Sequence, residues 1–276
     1  MLVEIENLRI AFANRTETIE AVRGISLKVG QEKFAIVGES GSGKSLTARS
    51  LMQLLPGNAL MQADKLSFDG IDLRRASEKV MRQIRGKRAG FILQDPKYSL
   101  HPVMTVGQQI AEAWREHKGG SRRAAMEAAV ELLEQVKIRD PQHVAKRYPH
   151  EISGGMGQRV MIAMMLAPDP ELLIADEPTN ALDATVQAEI LRLIDDLVSQ
   201  RGMGLILISH DLPLVSHFCD RVAVMYAGQI VECLAASELR HAQHPYTRGL
   251  LDCLPSLRHP RERLPVLKRE ESWKNE

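Results

Sequence analysis

Short runs of apolar residues alternate along this chain with longer stretches in which apolar residues recur every three or four positions. The apolar runs, each bounded by small or polar residues, are at 34–37, 89–93, 171–175, 204–208 and 222–226. Such runs are typical of buried β-strands. The helical spacing covers 45–55, 122–136 and 184–198. Because strands that alternate with helices favour a mainly parallel sheet covered on both faces, we expect an α/β fold.

The hydrophobic pattern changes in two places. Between about 96 and 165 no strong strand pattern occurs, which predicts a mostly helical insertion. Beyond about 235 the periodicity weakens, and residues 261–276 are so rich in charge that we expect them to be solvated. The longest strongly apolar run, Val160–Ala167, has eight residues, whereas a membrane-spanning helix needs about 20. We therefore expect the chain to act at a membrane only through a partner.

The composition narrows the possible functions. Of the 276 residues, 44% are hydrophobic and 26% are charged, as in ordinary globular proteins. The net charge of +1 argues against general electrostatic binding to nucleic acid, so we expect no nucleic-acid partner. The three cysteines, Cys219, Cys233 and Cys253, show no C-x-x-C spacing, and we expect them to be reduced packing residues.

A glycine-rich loop follows the first apolar run. Residues 38–45 read GESGSGKS, which fits the pattern G-x-x-x-x-G-K-[ST] between a predicted strand and a predicted helix. Such a loop can wrap a polyphosphate with its backbone N–H groups. Lys44 would then neutralise the β- and γ-phosphates, and the Ser45 hydroxyl would bind Mg²⁺. An ordinary glycine-rich turn has the same composition, but the strand–loop–helix context favours nucleotide binding.

Two later stretches add candidate chemistry. Asp176 and Glu177 follow the predicted strand 171–175, at the sheet edge where α/β folds bind ligands. We expect Asp176 to hold Mg²⁺ and Glu177 to act as general base toward an attacking water. The segment Ser153–Gly155 precedes an apolar helix and offers a second backbone cradle for an anion. Because one nucleotide does not need two cradles from one subunit, we expect the second cradle to serve a partner's nucleotide.

These motifs resemble those of the ATP-binding subunits of ABC transporters, and the resemblance runs along nearly the whole chain. The glycine-rich loop resembles the Walker A motif, Leu172–Glu177 the Walker B motif, and ISGGM at 152–156 the family signature. Four single residues fall at further motif positions, namely the adenine-stacking ring Phe12, the Q-loop residue Gln94, the D-loop residue Asp183 and the switch residue His210.

The resemblance implies a P-loop NTPase fold with a mostly parallel sheet flanked by helices. It also implies an antiparallel β element near the N-terminus and a helical insertion. The domains that the resemblance implies are two. An ABC-type nucleotide-binding domain covers 1–240 and includes a helical subdomain at about 96–165. A C-terminal extension of the oligopeptide and dipeptide transporter type covers 241–276.

ATP and Mg²⁺ are the implied ligands, and ATP hydrolysis is the implied reaction. The residues implied to contact the nucleotide are Phe12, Gly38, Glu39, Ser40, Gly41, Ser42, Gly43, Lys44, Ser45, Leu46, Ser153, Gly154, Gly155, Met156 and Asp183. The implied metal ligands are Ser45, Gln94 and Asp176, and the implied catalytic residues are Glu177, His210 and Gln94. The implied assembly is a head-to-tail dimer, in which the signature of one subunit covers the nucleotide on the loop of the other.

A narrower resemblance concerns one branch of the family. The stretch HPYTRGLLDCLPSL at 244–257 is similar to the oligopeptide, dipeptide and nickel importers, as are SGGMGQRVMIAMML at 153–166 and Leu46 after the loop. It implies a peripheral subunit at the cytoplasmic face of the cell membrane that powers the import of peptides, nickel or a related small solute. The implied partners are two transmembrane permease subunits, a second ATP-binding subunit and, indirectly, an external solute-binding protein. We expect that second ATP-binding subunit to be a paralogue rather than a second copy of this chain.

Other members of this branch, and other classes of protein that contain the glycine-rich loop, give alternatives for the cofactor and the function. Many importers of the branch hold an iron–sulfur cluster in a cysteine-rich tail, but the cysteines of this chain lack that clustering, so we expect no cluster. A soluble ABC protein of a non-transport complex, such as the carbon–phosphorus lyase assembly, would share the motifs. A small-molecule kinase would share only the loop, and Ser153–Gly155 and His210 argue against it.

Overall fold

The computed structural model describes residues 1–13, 17–94, 99–180, 182–254 and 273. The chain divides into two compact units. The first unit combines Met1–Ala76 with Ile206–Glu276, and the second unit spans Ser77–Leu205. The division into domains at 1–240 and 241–276 stays a prediction.

Strands occur in both units. In chain order the described strands are β1 (Val3–Ala13), β2 (Thr18–Val29), β3 (Lys33–Val37), β4 (Ala59–Gln62), β5 (Lys65–Phe68), β6 (Ile71–Asp72), β7 (Ala89–Ile92), β8 (Leu172–Asp176), β9 (Gly204–Ser209), β10 (Arg221–Tyr226) and β11 (Gln229–Ala235). Each of the five predicted apolar runs overlaps a strand, β3 or one of β7 to β10. The strand predictions are therefore confirmed.

Helices complete the two units. The described α-helices are α1 (Lys44–Leu51), α2 (Glu78–Ile84), α3 (Val106–Lys118), α4 (Arg122–Gln135), α5 (Pro141–Val144), α6 (Gly154–Leu166), α7 (Ala184–Arg201), α8 (Leu212–Phe218) and α9 (Pro245–Asp252). Two short 3₁₀-helices cover Pro149–Glu151 and Ala236–His241. The three predicted helices correspond to α1, α4 and α7, with ends displaced by a few residues.

An antiparallel sheet forms part of the first unit. Strand β1 pairs antiparallel with β2, β4 and β5, and Val3 lies opposite both Val29 of β2 and Phe68 of β5. Val3, Ile5 and their partners on both sides are buried, so one face of this sheet packs into the core. This is the antiparallel β element that the resemblance implies near the N-terminus.

A parallel pair in the first unit positions the glycine-rich loop. Strand β3 runs parallel to β10, with Phe34 opposite Arg221 and Val37 opposite Val224, and β11 pairs antiparallel with β10. Every residue from 34 to 37 is buried, as expected for a parallel strand that is covered on both faces. The loop therefore begins at the carboxyl end of a buried parallel strand.

The second unit contains another parallel pair. Strand β7 runs parallel to β8, with Ala89 opposite Leu172 and Ile92 opposite Ala175. Helices α3 to α6 lie between these strands in the chain, where the sequence predicts a helical insertion. Because the carboxyl ends of parallel strands lie at one edge, the residues that follow β7 and β8, including Gln94 and Glu177, are brought close together.

Two sequence expectations are wrong. Trp273, in the charged segment expected to be solvated, is only 6% exposed because its ring packs against Tyr226 and Tyr246. The rest of 261–276 lies outside the described residues. Cys233 is exposed rather than a packing residue, because it lies on β11 where its sulfur accepts a hydrogen bond from the Arg221 guanidinium at 3.6 Å. Within the part of the chain that the structure describes, no helix has the length and apolar character that a membrane crossing requires.

Candidate functional site

The glycine-rich loop of the first unit depends on residues without side chains. Gly38 has φ 147°, and a Cβ at this position would overlap the carbonyl oxygen of Met225. Gly43, which precedes α1, has φ 99°, and a Cβ there would lie 2.8 Å from the carbonyl oxygen of Ala21. Both positions therefore require glycine, and they fix the turn that leads from β3 into α1.

Lys44 and Ser42 contribute two buried polar side chains to this loop. The Lys44 ammonium donates hydrogen bonds to the carbonyl oxygens of Gly38 at 2.9 Å and Glu39 at 2.7 Å, and the residue is only 5% exposed. Ser42 Oγ is buried and has no hydrogen-bond partner among the described residues. A fixed cation and a buried hydroxyl within one tight loop are the groups that bind an anion with several oxygens.

The carboxylates of the second unit lie at the end of β8. Asp176 is 3% exposed, and Glu177 follows it in a left-handed backbone conformation, with φ 46°. Glu177 Oε2 accepts hydrogen bonds from Gln94 Nε2 at 3.3 Å and from Asn180 Nδ2 at 3.2 Å. Positive φ is uncommon for a residue with a side chain. Two amides therefore orient a carboxylate that the backbone already directs.

The signature segment begins helix α6 of the second unit. Ser153 is the N-cap of this helix, and its hydroxyl accepts a hydrogen bond from the Met156 N–H at 3.3 Å. Ser153 and Gly154 are exposed. The first turn of a helix leaves backbone N–H groups without partners inside the helix. Of these groups the Met156 N–H is bonded to the Ser153 hydroxyl, so the exposed Gly154 and its neighbour Gly155 are the positions whose N–H groups can serve as an anion cradle.

A short network precedes the signature. The Glu151 carboxylate accepts hydrogen bonds from the Tyr148 backbone N–H at 2.8 Å and from the Arg147 guanidinium at 3.0 Å. The Tyr148 N–H first, and then Arg147, hold the pKa of Glu151 below its usual range. These contacts fix the 3₁₀ turn Pro149–Glu151 that leads into Ser153.

Three further predicted site residues, Phe12, Asp183 and His210, lie at the ends of separate elements. Phe12, near the end of β1, is opposite Ile19 and Ala59 in the sheet, so it stands on an apolar surface and is half-buried. His210 is exposed and directly follows β9. Asp183 accepts hydrogen bonds from the N–H groups of Thr185 at 3.1 Å and Val186 at 3.0 Å, so it caps α7.

Sequence reasoning missed Asn180 and Tyr246, which touch candidate site residues. Asn180 is three residues after Glu177 and donates to its carboxylate, a local spacing that could have indicated the contact. Tyr246 accepts a hydrogen bond from the Glu39 backbone N–H at 3.1 Å, although 207 residues separate the two. No sequence spacing indicates a contact of that kind.

Several known proteins are similar to this chain in sequence. A family profile described as "ABC transporter" matches residues 22–180. The chain is 50% identical to "Glutathione import ATP-binding protein GsiA" of Shigella dysenteriae serotype 1 over 264 residues, which are 93% of this chain and 42% of that protein. It is 49% identical to "Oligopeptide transport ATP-binding protein OppD" of Bacillus subtilis over 259 residues, which are 93% of this chain and 72% of OppD. The chain thus spans less than half the length of GsiA.

A solved structure has the same fold. "Dimeric Structure of MJ0796, a Bacterial ABC Transporter Cassette" superposes with a TM-score of 0.76 at 25% sequence identity, over 85% of this chain and 99% of that one. This similarity confirms the expected P-loop α/β fold. With the family profile and the relatives near 50% identity, it shows that the chain belongs to the ABC transporter family of ATP-binding proteins.

Proposed function

We propose that this chain binds ATP with Mg²⁺ and hydrolyses it, and that the hydrolysis powers the import of peptides or a related small solute. The observation that carries the hydrolytic part is Glu177, a carboxylate that two amides hold directly after the buried Asp176. The importer part is supported by the relatives, which are named as oligopeptide transport and glutathione import proteins. These names do not favour a soluble non-transport complex.

The residues fit the two ligands. A Cβ at Gly41 would meet no atom within 4 Å, so the loop leaves open space at that position. The loop also contributes the buried Ser42 hydroxyl and the Lys44 ammonium. Phosphate oxygens can accept hydrogen bonds from both groups. The proposed metal ligands Ser45, Gln94 and Asp176 present oxygen atoms, which Mg²⁺ prefers. When bound, Mg²⁺ would neutralise charge on the β- and γ-phosphates.

Each polar group has a defined task in the proposed reaction. Lys44 donates to phosphate oxygens and keeps the γ-phosphate in place, and Phe12 stacks on the adenine. Glu177 orients the attacking water and accepts its proton as the water oxygen bonds to the γ-phosphorus. The bond between that phosphorus and the oxygen of the leaving ADP breaks in the same step. His210 donates a hydrogen bond to the γ-phosphate. Gln94 links the nucleotide site to the helices α3 to α6.

The proposed active assembly is a head-to-tail pair of ATP-binding subunits, with the second subunit a paralogue rather than a copy of this chain. Ser153–Met156 would bind the γ-phosphate held by the partner's loop, and Asp183 would lie at the same interface. The exposure of Ser153 and Gly154 supports this assignment, because a cradle for a partner's ligand has to be accessible.

Substitution of Ser153 by arginine tests the shared site. We expect the variant to bind ATP with unchanged affinity but to lose ATP-dependent dimerisation, because a long charged side chain would fill the cradle. Size-exclusion chromatography with Mg-ATP measures the dimerisation. The substitution is made in the Glu177→Gln chain, which is run alone or together with the second ATP-binding subunit. Ser121→Arg is the matched control, since Ser121 is also an exposed N-cap serine, at the start of α4. Unimpaired dimerisation of the Ser153 variant would contradict the proposal.

The proposed permease partners need a docking surface on this chain. A cavity of about 330 Å³ in the second unit is lined by the apolar residues Leu100, Pro102, Pro149 and Ile152, and also by His150, Ser153, Gly154 and Gly157. Val103, beside Pro102, is 73% exposed. Exposed apolar side chains next to an apolar cavity favour an interface with another protein. This surface would place the chain at the cytoplasmic face of the membrane, as a peripheral subunit.

Substitution of Val103 by aspartate tests the permease contact. We expect the tagged variant to bind ATP normally. The amount of integral membrane protein that co-purifies with it should fall at least about tenfold relative to the unsubstituted chain, since a buried unpaired charge is costly. Mass spectrometry of detergent-solubilised membranes measures the recovery. Val80→Asp is the control, because Val80 is also exposed but lies on α2. A tagged unsubstituted chain that recovers only soluble proteins would refute the importer function.

A further inference from the structure

A cluster of aromatic residues packs in the first unit. We name Tyr226, His244, Tyr246 and Trp273 the aromatic cluster. The ring centroids of Tyr226 and Tyr246 are 4.4 Å apart, and the Trp273 ring is 6.1 to 6.3 Å from the other three. Tyr246 is fully buried, and Tyr226 and Trp273 are 5% and 6% exposed. At these distances aromatic rings attract one another beyond their simple burial.

The cluster holds the beginning of helix α9 in place. The His244 ring nitrogen Nδ1 accepts a hydrogen bond from the Tyr246 N–H at 3.1 Å. The Glu232 carboxylate, on β11, accepts from the N–H groups of Gln243 at 2.7 Å and His244 at 3.3 Å. With its ring buried and its backbone bonded, Tyr246 has little freedom to move its hydroxyl group.

This hydroxyl group meets the glycine-rich loop. The Glu39 N–H donates to Tyr246 Oη at 3.1 Å, and the Glu39 carbonyl accepts from the Lys44 ammonium at 2.7 Å. One residue of the loop is therefore bonded to Tyr246 on one side and to Lys44 on the other. A second contact supports the far end of the loop, because the Gly228 N–H donates to the Ser42 carbonyl at 3.1 Å.

We propose that Tyr246 is a positioning residue for the phosphate-binding loop, acting through Glu39 on Lys44, and that Trp273 holds the Tyr246 ring in the position this requires. The inference rests on the proposed binding of ATP phosphates by Gly38–Ser45. The inference adds a role for the C-terminal region, because Trp273, far from the loop in sequence, would set the affinity of the loop for nucleotide through Tyr246. A loop that is already ordered loses less conformational freedom when it binds its ligand.

The substitution Tyr246→Phe tests the hydroxyl alone, because it keeps the ring. We expect the dissociation constant and the KM for ATP to rise about threefold to tenfold, the effect of one hydrogen bond, while kcat stays within about twofold. Equilibrium binding of a fluorescent ATP analogue and steady-state phosphate release measure these quantities. Tyr226→Phe is the matched control, since it removes a hydroxyl from the same cluster, and among the described residues Tyr226 makes no hydrogen bond to the loop.

A double-mutant cycle tests the role of Trp273. Trp273→Ala should raise the dissociation constant for ATP by itself, but should add less than about twofold in the Tyr246→Phe chain, because residues that act through one contact are not additive. Full additivity of the two effects would refute the link through Tyr246.

The Lys44→Ala chain separates failure of this inference from failure of the proposed site. If Lys44→Ala loses ATP binding while Tyr246→Phe binds ATP with unchanged affinity and KM, the positioning role of Tyr246 is wrong and the site stands. If Lys44→Ala binds ATP as well as the unsubstituted chain, the proposed site itself is wrong and the inference falls with it.

Discussion

Replacement of Glu177 by glutamine is expected to lower the rate of ATP hydrolysis at least about a hundredfold, the usual contribution of a general base, while ATP binding stays intact. Glutamine has the same shape as glutamate, and its amide oxygen can still accept the hydrogen bonds from Gln94 and Asn180. It cannot take a proton from the attacking water. The defect should therefore appear in kcat, with little change in the affinity for ATP.

Phosphate release and equilibrium binding of ATP measure the two parts of this prediction. Glu127→Gln is the control for a change of one charge, because Glu127 is an exposed residue of α4 that pairs with Arg123. Exposed pairs of this kind contribute little to stability, so this control should behave as the unsubstituted chain does. A Glu177→Gln chain that hydrolyses ATP at the normal rate would show that another group is the base.

The same variant reports on the assembly. With hydrolysis stalled, ATP should remain bound and hold two ATP-binding subunits together. A shift to dimer on size-exclusion chromatography with Mg-ATP would show that this chain suffices for both halves. No shift, with ATP still bound, would support the paralogue that we propose as the second subunit.

The strands and the glycine-rich loop could be predicted because their signals are local. The run at 34–37 is apolar at every position, as a parallel strand buried on both faces requires, and Gly38 and Gly43 adopt backbone angles that few other residues tolerate. The chemistry of Lys44 and Glu177 was predicted for the same reason, since each follows directly from its motif. Their roles in turnover stay predictions.

Contacts between distant parts of the chain could not be predicted. Tyr246 and Glu39 are 207 residues apart, and nothing in either segment indicates the other. Trp273 lies in a segment whose average composition predicts solvation, and an average over many charged residues does not reveal that one large ring is buried. Asp183 shows a related limit. Its motif position predicts a contact with nucleotide, whereas its carboxylate caps α7, and both roles are compatible with one side chain.

Replacement of Lys44 by alanine is expected to weaken ATP binding at least about thirtyfold, because it removes charge-assisted hydrogen bonds that are stronger than neutral ones. Turnover should fall below detection at ATP concentrations that saturate the unsubstituted chain. The reason lies in the position of the ammonium, which is 5% exposed and held by the carbonyl oxygens of Gly38 and Glu39. In such a site water screens the attraction to phosphate poorly.

A second variant separates the charge of Lys44 from its packing. Lys44→Met keeps most of the aliphatic stem and removes the ammonium, so it should lose ATP binding to the same extent as Lys44→Ala. Lys87→Ala is the control for loss of a positive charge. Lys87 is exposed, and the hydrogen bond described for its ammonium goes to the Gln83 side chain. Isothermal titration with ATP and Mg²⁺ measures all three, and circular dichroism checks that each chain is folded. If Lys44→Met retained normal affinity, the phosphates would have to be bound by the loop backbone alone, and the ammonium would serve only to hold the carbonyl oxygens of Gly38 and Glu39 in place.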